Sequence, residues 1–372
     1  MMFVQNKVKL APWLILFFGI GILYFGLRQD AFLYQQPIVQ VKQVKTFDIN
    51  HATDAYLNHV QNYQQSVQVE FLNTHKQGQK IWVENNYDSS QGMDQQLQPR
   101  MQIFLRRQGD TWSFDNVKRD STWIPILIML IGLLVNLMGK AGRLTSVSLL
   151  LNSLLFIMAI GLNLRTGTHY LLVIFILFSL IVSALTLGFV MGLRNRQTWV
   201  IFLTVLTATC SAMLIAAIVF KLDHNQGLNF ELLGFITQLP IPMFFAMTLV
   251  GVLGAVMDES TDMIATLFTL IKTNPKITAK ELVLAGQHVG QEIFGALTNV
   301  LFLIFIASQI PMAILFLRNG NDIGYTYSMN MKLGMIQTLI SAIGIVLTVP
   351  AGIMWVIIDH KYQDSIHKRR RN

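Results

Sequence analysis

The run YLLVIFILFSLIVSALTLGFVMGL, residues 170–193, decides the fold class. It contains no Asp, Glu, Lys or Arg. A helix needs about 20 apolar residues to span the hydrocarbon core of a bilayer, and this run is longer than that. Seven other stretches come close: residues 12–27, 123–138, 144–162, 199–220, 232–257, 293–317 and 333–358. Together they predict an all-α polytopic membrane helix bundle of about eight transmembrane helices, with the lipid bilayer as its first partner.

Charge agrees with that prediction. Only 13% of the 372 residues are charged, against about 25% in an ordinary soluble domain. The net charge of +8 would suit nucleic acid. The cations, however, sit in short loops and at the C-terminus, where they set membrane orientation, so nucleic acid is excluded as a partner. Lys7 and Lys9 place the N-terminus inside. The clusters Lys140/Arg143, Arg194/Arg196, Lys272/Lys276/Lys280 and Lys368 to Arg371 then also fall inside. The outside loops hold only Arg165, Lys221, Arg318 and Lys332. An odd helix count would break this alternation, so both termini are expected in the cytoplasm.

Residues 1–27 read as an uncleaved signal anchor, because no small-x-small site follows the apolar run. Residues 28–122 are the soluble segment and lie outside. Within it, residues 66–72, 80–84, 101–105 and 111–114 alternate polar and apolar, the period of half-buried strands. Val67, Val69, Phe71, Ile81, Val83, Ile103 and Leu105 share one parity and should form a core. Gly78, Gly92 and Gly109 mark turns, and a short helix is expected over 54–65. The strand count predicts a small extracytoplasmic β-barrel or β-sandwich. Residues 123–360 then form a seven-helix membrane domain, and 361–372 a basic tail. The single cysteine, Cys210, excludes an internal disulfide and any CxxC site.

The cytoplasmic connection, 258–292, carries the chemistry. As a helix, its start places Met263, Ile264, Leu267, Phe268 and Ile271 on one face. Asp258, Asp262, Thr266, Thr269 and Thr273 fall on the other. Asn274-Pro275 ends that helix. Thr278-Ala279-Lys280-Glu281 has capping-box spacing and starts the next, an amphipathic hairpin in all. The second helix runs unbroken into the membrane. Along it, His288, Glu292, Gly295 and Asn299 recur at helical spacing. Gly286 and Gly290, with Gly254 and Gly295, are small enough for close helix packing.

Two readings stay open for these residues. Asp258, Asp262, His288 and Glu292 form an ion- or proton-binding site at the inner boundary, with Thr298 and Asn299 lining a path. Alternatively the ionisable groups are solvated at an interface, and Asn299, like Asn136 and Asn152, makes a helix–helix hydrogen bond. Pro240, Pro242, Pro311 and Pro350 serve either as kinks or as hinges.

The sequence resembles the YibE/F-like family of bacterial membrane proteins. Gly254-Ala255-Val256-Met257-Asp258 matches its first motif and Asn274-Pro275 its turn. Ala285 to Val300 matches its last run, with Gln291-Glu292 in place of an Arg-Asp pair and Val300 in place of a Thr. The resemblance implies a bacterial cell membrane and this architecture, and it supplies no activity. Hydrolase and Walker motifs are absent, so the chain is expected to be no enzyme and to need no cofactor; a metal is left undecided. Two functions remain. One is a permease or channel-like transporter of a small solute or ion. The other is a non-transporting scaffold or accessory subunit whose β-domain binds a partner. A homo-oligomer or a membrane protein partner is compatible with either.

Overall fold

A computed structural model of the protein describes residues 10–53, 59–89, 91, 94–224, 230 and 239–371. Lys7, Lys9, Ser90 and Gly92 lie outside the described residues. So does the start of the expected span at 232. The chain divides into two compact units, Met1–Arg143 and Leu144–Asn372.

The first unit opens with the apolar helix α1, Leu10–Leu27, and a 3-10 turn at Asp30–Leu33. Five strands follow: β1 Ile38–Thr53, β2 His59–Phe71, β3 Lys80–Asp88, β4 Gln102–Gln108 and β5 Thr111–Val117. They form one antiparallel sheet in the order β3-β2-β1-β4-β5. The edge strands β3 and β5 also approach each other, so the sheet curls. The helix expected over 54–65 is wrong within the described residues. His59 to Gln65 belong to β2, which pairs with β1 in a long hairpin. Among the described residues the strands pair in this single sheet, and the expected barrel or sandwich is reduced to it.

Alternation puts the core where the parity placed it. Val67, Val69, Phe71, Val83, Ile103 and Leu105 are buried, joined by Val39 and Val41 of β1, and Ile81 packs beside them. Gly78 and Gly109 turn the chain with φ of +82° and +60°, a region open to glycine at no steric cost. Two buried amides tie the loops down. Asn73 accepts from the Ile38 amide at 2.8 Å and donates to the Ala31, Tyr34 and Gln36 carbonyls. Gln65 donates to the Leu97 carbonyl at 3.1 Å and accepts from the Leu97 amide at 2.9 Å. Helix α2, Asp120–Met138, leaves the sheet and packs against α1, with Leu16 over Gly132.

The second unit is helical: α3 Lys140–Thr166, α4 Leu171–Leu187, α5 Arg196–Leu222, α6 Pro240–Thr273 and α7 Ala279–Arg318. The four-residue α8, Ile323–Thr326, passes through a π turn into α9, Lys332–Arg371. Leu144, where this unit begins, lies inside α3. Pro240 occupies the first position of α6, where its missing N–H is harmless. The capping box at Thr278 is formed: Thr278 accepts from the Glu281 amide, and Glu281 from the Thr278 amide. Helix α7 then runs for 40 residues without a break, about 60 Å at 1.5 Å per residue. Pro311 and Pro350 lie inside α7 and α9, which continue through them.

Among the described residues, seven helices are long and apolar enough to cross a membrane, α2 to α7 and the α8–α9 segment. The N-terminal Ala11–Leu27 is a shorter apolar helix. The centre of the second unit is made by α5, α6 and α9, with α4 on α6 and α7 on α9. Asn152 makes the interhelical bond expected of it, donating to Thr186 at 2.8 Å.

Candidate functional site

Small residues let α5, α6 and α9 close on one another. Gly344 of α9 meets Val252 and Val256 of α6 and Ala212 of α5. Two turns on, Gly352 meets Met263 of α6 and Thr204 of α5. Between these layers α9 offers Thr348, which is fully buried and donates to the Gly344 carbonyl at 3.0 Å. The α6 positions of the same interval include Glu259 and Ser260.

Glu259 is 1% exposed and Ser260 0%. Among the described residues, both carboxyl oxygens of Glu259 and the Ser260 hydroxyl have no hydrogen-bond partner. An acid at the middle of a 34-residue apolar helix, closed off and without a cation or donor, is the least satisfied polar group of the centre. Its neighbours in sequence differ. Asp258 and Asp262 are exposed, as are Thr266, Thr269 and Thr273. Met263, Ile264 and Leu267 are buried, so the amphipathic face extends as expected. Glu259 lies on that apolar face, one turn before Met263.

On α7, His288, Glu292, Gly295 and Asn299 are all exposed. Thr298 is partly buried, and its hydroxyl is another without a partner. Among the described residues, no three His, Cys, Asp or Glu side chains are grouped so as to hold a metal ion. The glycines divide in two. Gly286 and Gly290 are buried against Ile353 and Val349 of α9, where a methyl group would overlap. Gly254 and Gly295 have nothing within 4 Å of where a methyl would stand.

Residues 126–358 match the family model of the YibE/F-like protein, and residues 32–117 match the YibE/F family N-terminal domain. The chain belongs to the YibE/F-like family. No curated protein and no solved structure matches it. With its apolar helices, this YibE/F-like protein is an integral, multi-pass membrane protein. The two matched stretches correspond to the sheet and to the helical part, and Glu259 falls within the second. The run Gly254-Ala255-Val256-Met257-Asp258 stops one residue short of it.

Proposed function

We propose that this YibE/F-like protein is a permease for a small solute or ion, and that it works by loading and releasing a proton at Glu259. The support is Glu259 itself, buried on the face of α6 that also carries Val256 and Met263, with both oxygens unpartnered among the described residues. Held there as a bare anion it would cost several kcal/mol, a large part of a typical stability of 5–15 kcal/mol. As a neutral acid lacking hydrogen bonds it costs about 1–3 kcal/mol. The proton therefore belongs to the closed state, and losing it favours a state in which the carboxylate meets water or a cation. Intramembrane carboxyls of this kind mark proton relays and ion pathways.

In this proposal Asp258 and Asp262, exposed beside Glu259, and His288 and Glu292 on α7 gather cations or protons at the inner boundary. Thr298 and Asn299 line the approach. α1 makes an eighth crossing, both termini lie in the cytoplasm of a bacterial cell, and the curled sheet is an extracytoplasmic, barrel-like domain. No enzymatic step is invoked.

The test is flux through proteoliposomes carrying a pH-sensitive dye inside, challenged with a panel of inorganic cations, anions and amino acids. One of these should drive a proton movement that Glu259→Gln abolishes and Asp258→Asn only slows. Solute movement that persists in Glu259→Gln without proton movement would remove Glu259 from the mechanism. The scaffold reading keeps one observation in its favour: Phe47, Ile49 and Trp82 are about half exposed on β1 and β3. Silence of the whole panel, with a partner captured through these residues, would favour it.

A further inference from the structure

A second set of orphan polar groups lies away from Glu259. Helices α4 and α5 part on the surface of α6 and leave a cavity of about 350 Å³. Its floor is Phe245, Leu249 and Leu253, and its walls are aliphatic apart from a few hydroxyls and Cys210. Leu214 at 62% exposed and Cys210, also exposed, mark a mouth opening sideways. No lining residue is charged.

Ser179 on α4 and Thr209 on α5 both line this cavity. Each is 5% exposed, and neither hydroxyl has a partner among the described residues. In a membrane helix such a hydroxyl normally turns back to the carbonyl of the preceding turn. Thr204, Thr248 and Thr348 do so here, at 2.8, 2.7 and 3.0 Å. Ser183, one turn from Ser179 in the same wall, donates to the Leu180 carbonyl. Ser179 and Thr209 are thus two unspent donors in an otherwise apolar cavity. Size and lining match the usual small-ligand pocket, about 300–1,000 Å³, apolar, with a few polar groups fixing orientation.

We propose that this crevice binds an uncharged amphiphile entering from the bilayer, a hydrocarbon chain bearing a carbonyl oxygen that accepts from Ser179 and Thr209. The uncharged walls exclude a phosphate or carboxylate head, and the lateral mouth admits a chain directly from lipid. The site is separate from Glu259 and does not depend on the transport proposal.

Cys210 supplies the readout. The purified full chain in detergent is alkylated at Cys210 with N-ethylmaleimide while a diazirine-bearing monoacylglycerol is titrated in. Photolysis then maps where the probe sits. The monoacylglycerol should slow alkylation and crosslink to residues lining α4 and α5. A diazirine alkane of equal length, lacking the carbonyl, should need about tenfold more for the same protection, as expected from two neutral hydrogen bonds. The double variant Ser179→Ala/Thr209→Val keeps the shape of the cavity and should erase the difference between the two probes. Equal protection by both probes in the unmodified protein would overturn the proposal, as would crosslinks outside the crevice. Crosslinking of α4 or α5 to a second copy of the chain would make the crevice a subunit interface and overturn it equally.

Discussion

Lys118 and Glu259 are both buried, yet their surroundings are opposite. The Lys118 side chain is 1% exposed and fully met. Its ammonium donates to the Leu27 carbonyl at 2.6 Å and to both Asp120 oxygens at 2.8 Å. Asp30 stands 2.7 Å away as an ion pair, although its oxygen does not meet hydrogen-bond geometry. Tyr34 donates to Asp120 at 2.6 Å. That cluster ties the end of α1, the turn after it, the last strand and the start of α2 into one piece. Glu259 has no such company. A buried charge with a complete set of partners is a clasp, whereas a buried acid with none needs another reason to be there. Proton exchange is the reason proposed here.

The largest effect should come from breaking the clasp. Lys118→Met leaves Asp30 and Asp120 facing each other without their cation, at about 3–5 kcal/mol. Limited proteolysis should then cut the sheet of an otherwise membrane-inserted protein. A variant as resistant as the original would mean that the cluster is no clasp.

The glycines of α7 sharpen the comparison inside the helical unit. Gly290→Leu forces a side chain onto Val349 and should lower stability by about 1–3 kcal/mol. Gly295→Ala faces open space and should raise it, by up to about 1 kcal/mol, through helix propensity. Thermal melts in detergent that ranked the two the other way would show that α7 packs on a different face.

The subtlest effect is on pH. The hydrogen bond to the Asp120 carboxylate, and then burial, push the Tyr34 phenol up to about 12. Because the folded value lies above the ordinary one, the associated stability is complete below about pH 10 and is lost as pH rises towards 12. A phenolate absorbance titration should show a late step that Tyr34→Phe removes, while the delayed titration of Tyr87, raised by burial, is kept. Persistence of the late step in that variant would assign it elsewhere.

Much of the skeleton was legible in the sequence because apolar runs and capping chemistry act locally. The runs, the Asn274-Pro275 stop, the Thr278 capping box and the strand parity around Val67 and Val69 all needed only neighbours in sequence. The strand at 59–65 is not legible as one, because strand pairing is a contact between distant residues. Gly286 and Gly290 advertised a close approach, but nothing local named α9 as the partner. Glu259 was overlooked for a different reason. Lying between Asp258 and Ser260, it is assigned to neither face there, although about 100° per residue carries it round to the side of Met263. Extending the apolar face of α6 back by one turn would have found it. That its oxygens lack partners depends on how the helices pack, which no local pattern reveals.

The central claim is that Glu259 holds an exchangeable proton in the buried centre of the helical unit. Infrared spectroscopy of the protein reconstituted in lipid at neutral pH tests it without knowledge of the solute. The difference between the original protein and Glu259→Gln should contain one protonated-carboxyl C=O band, and that band should move to lower frequency after transfer to D2O. Absence of the band, or a band that never exchanges with D2O, would contradict a proton-exchanging role for Glu259.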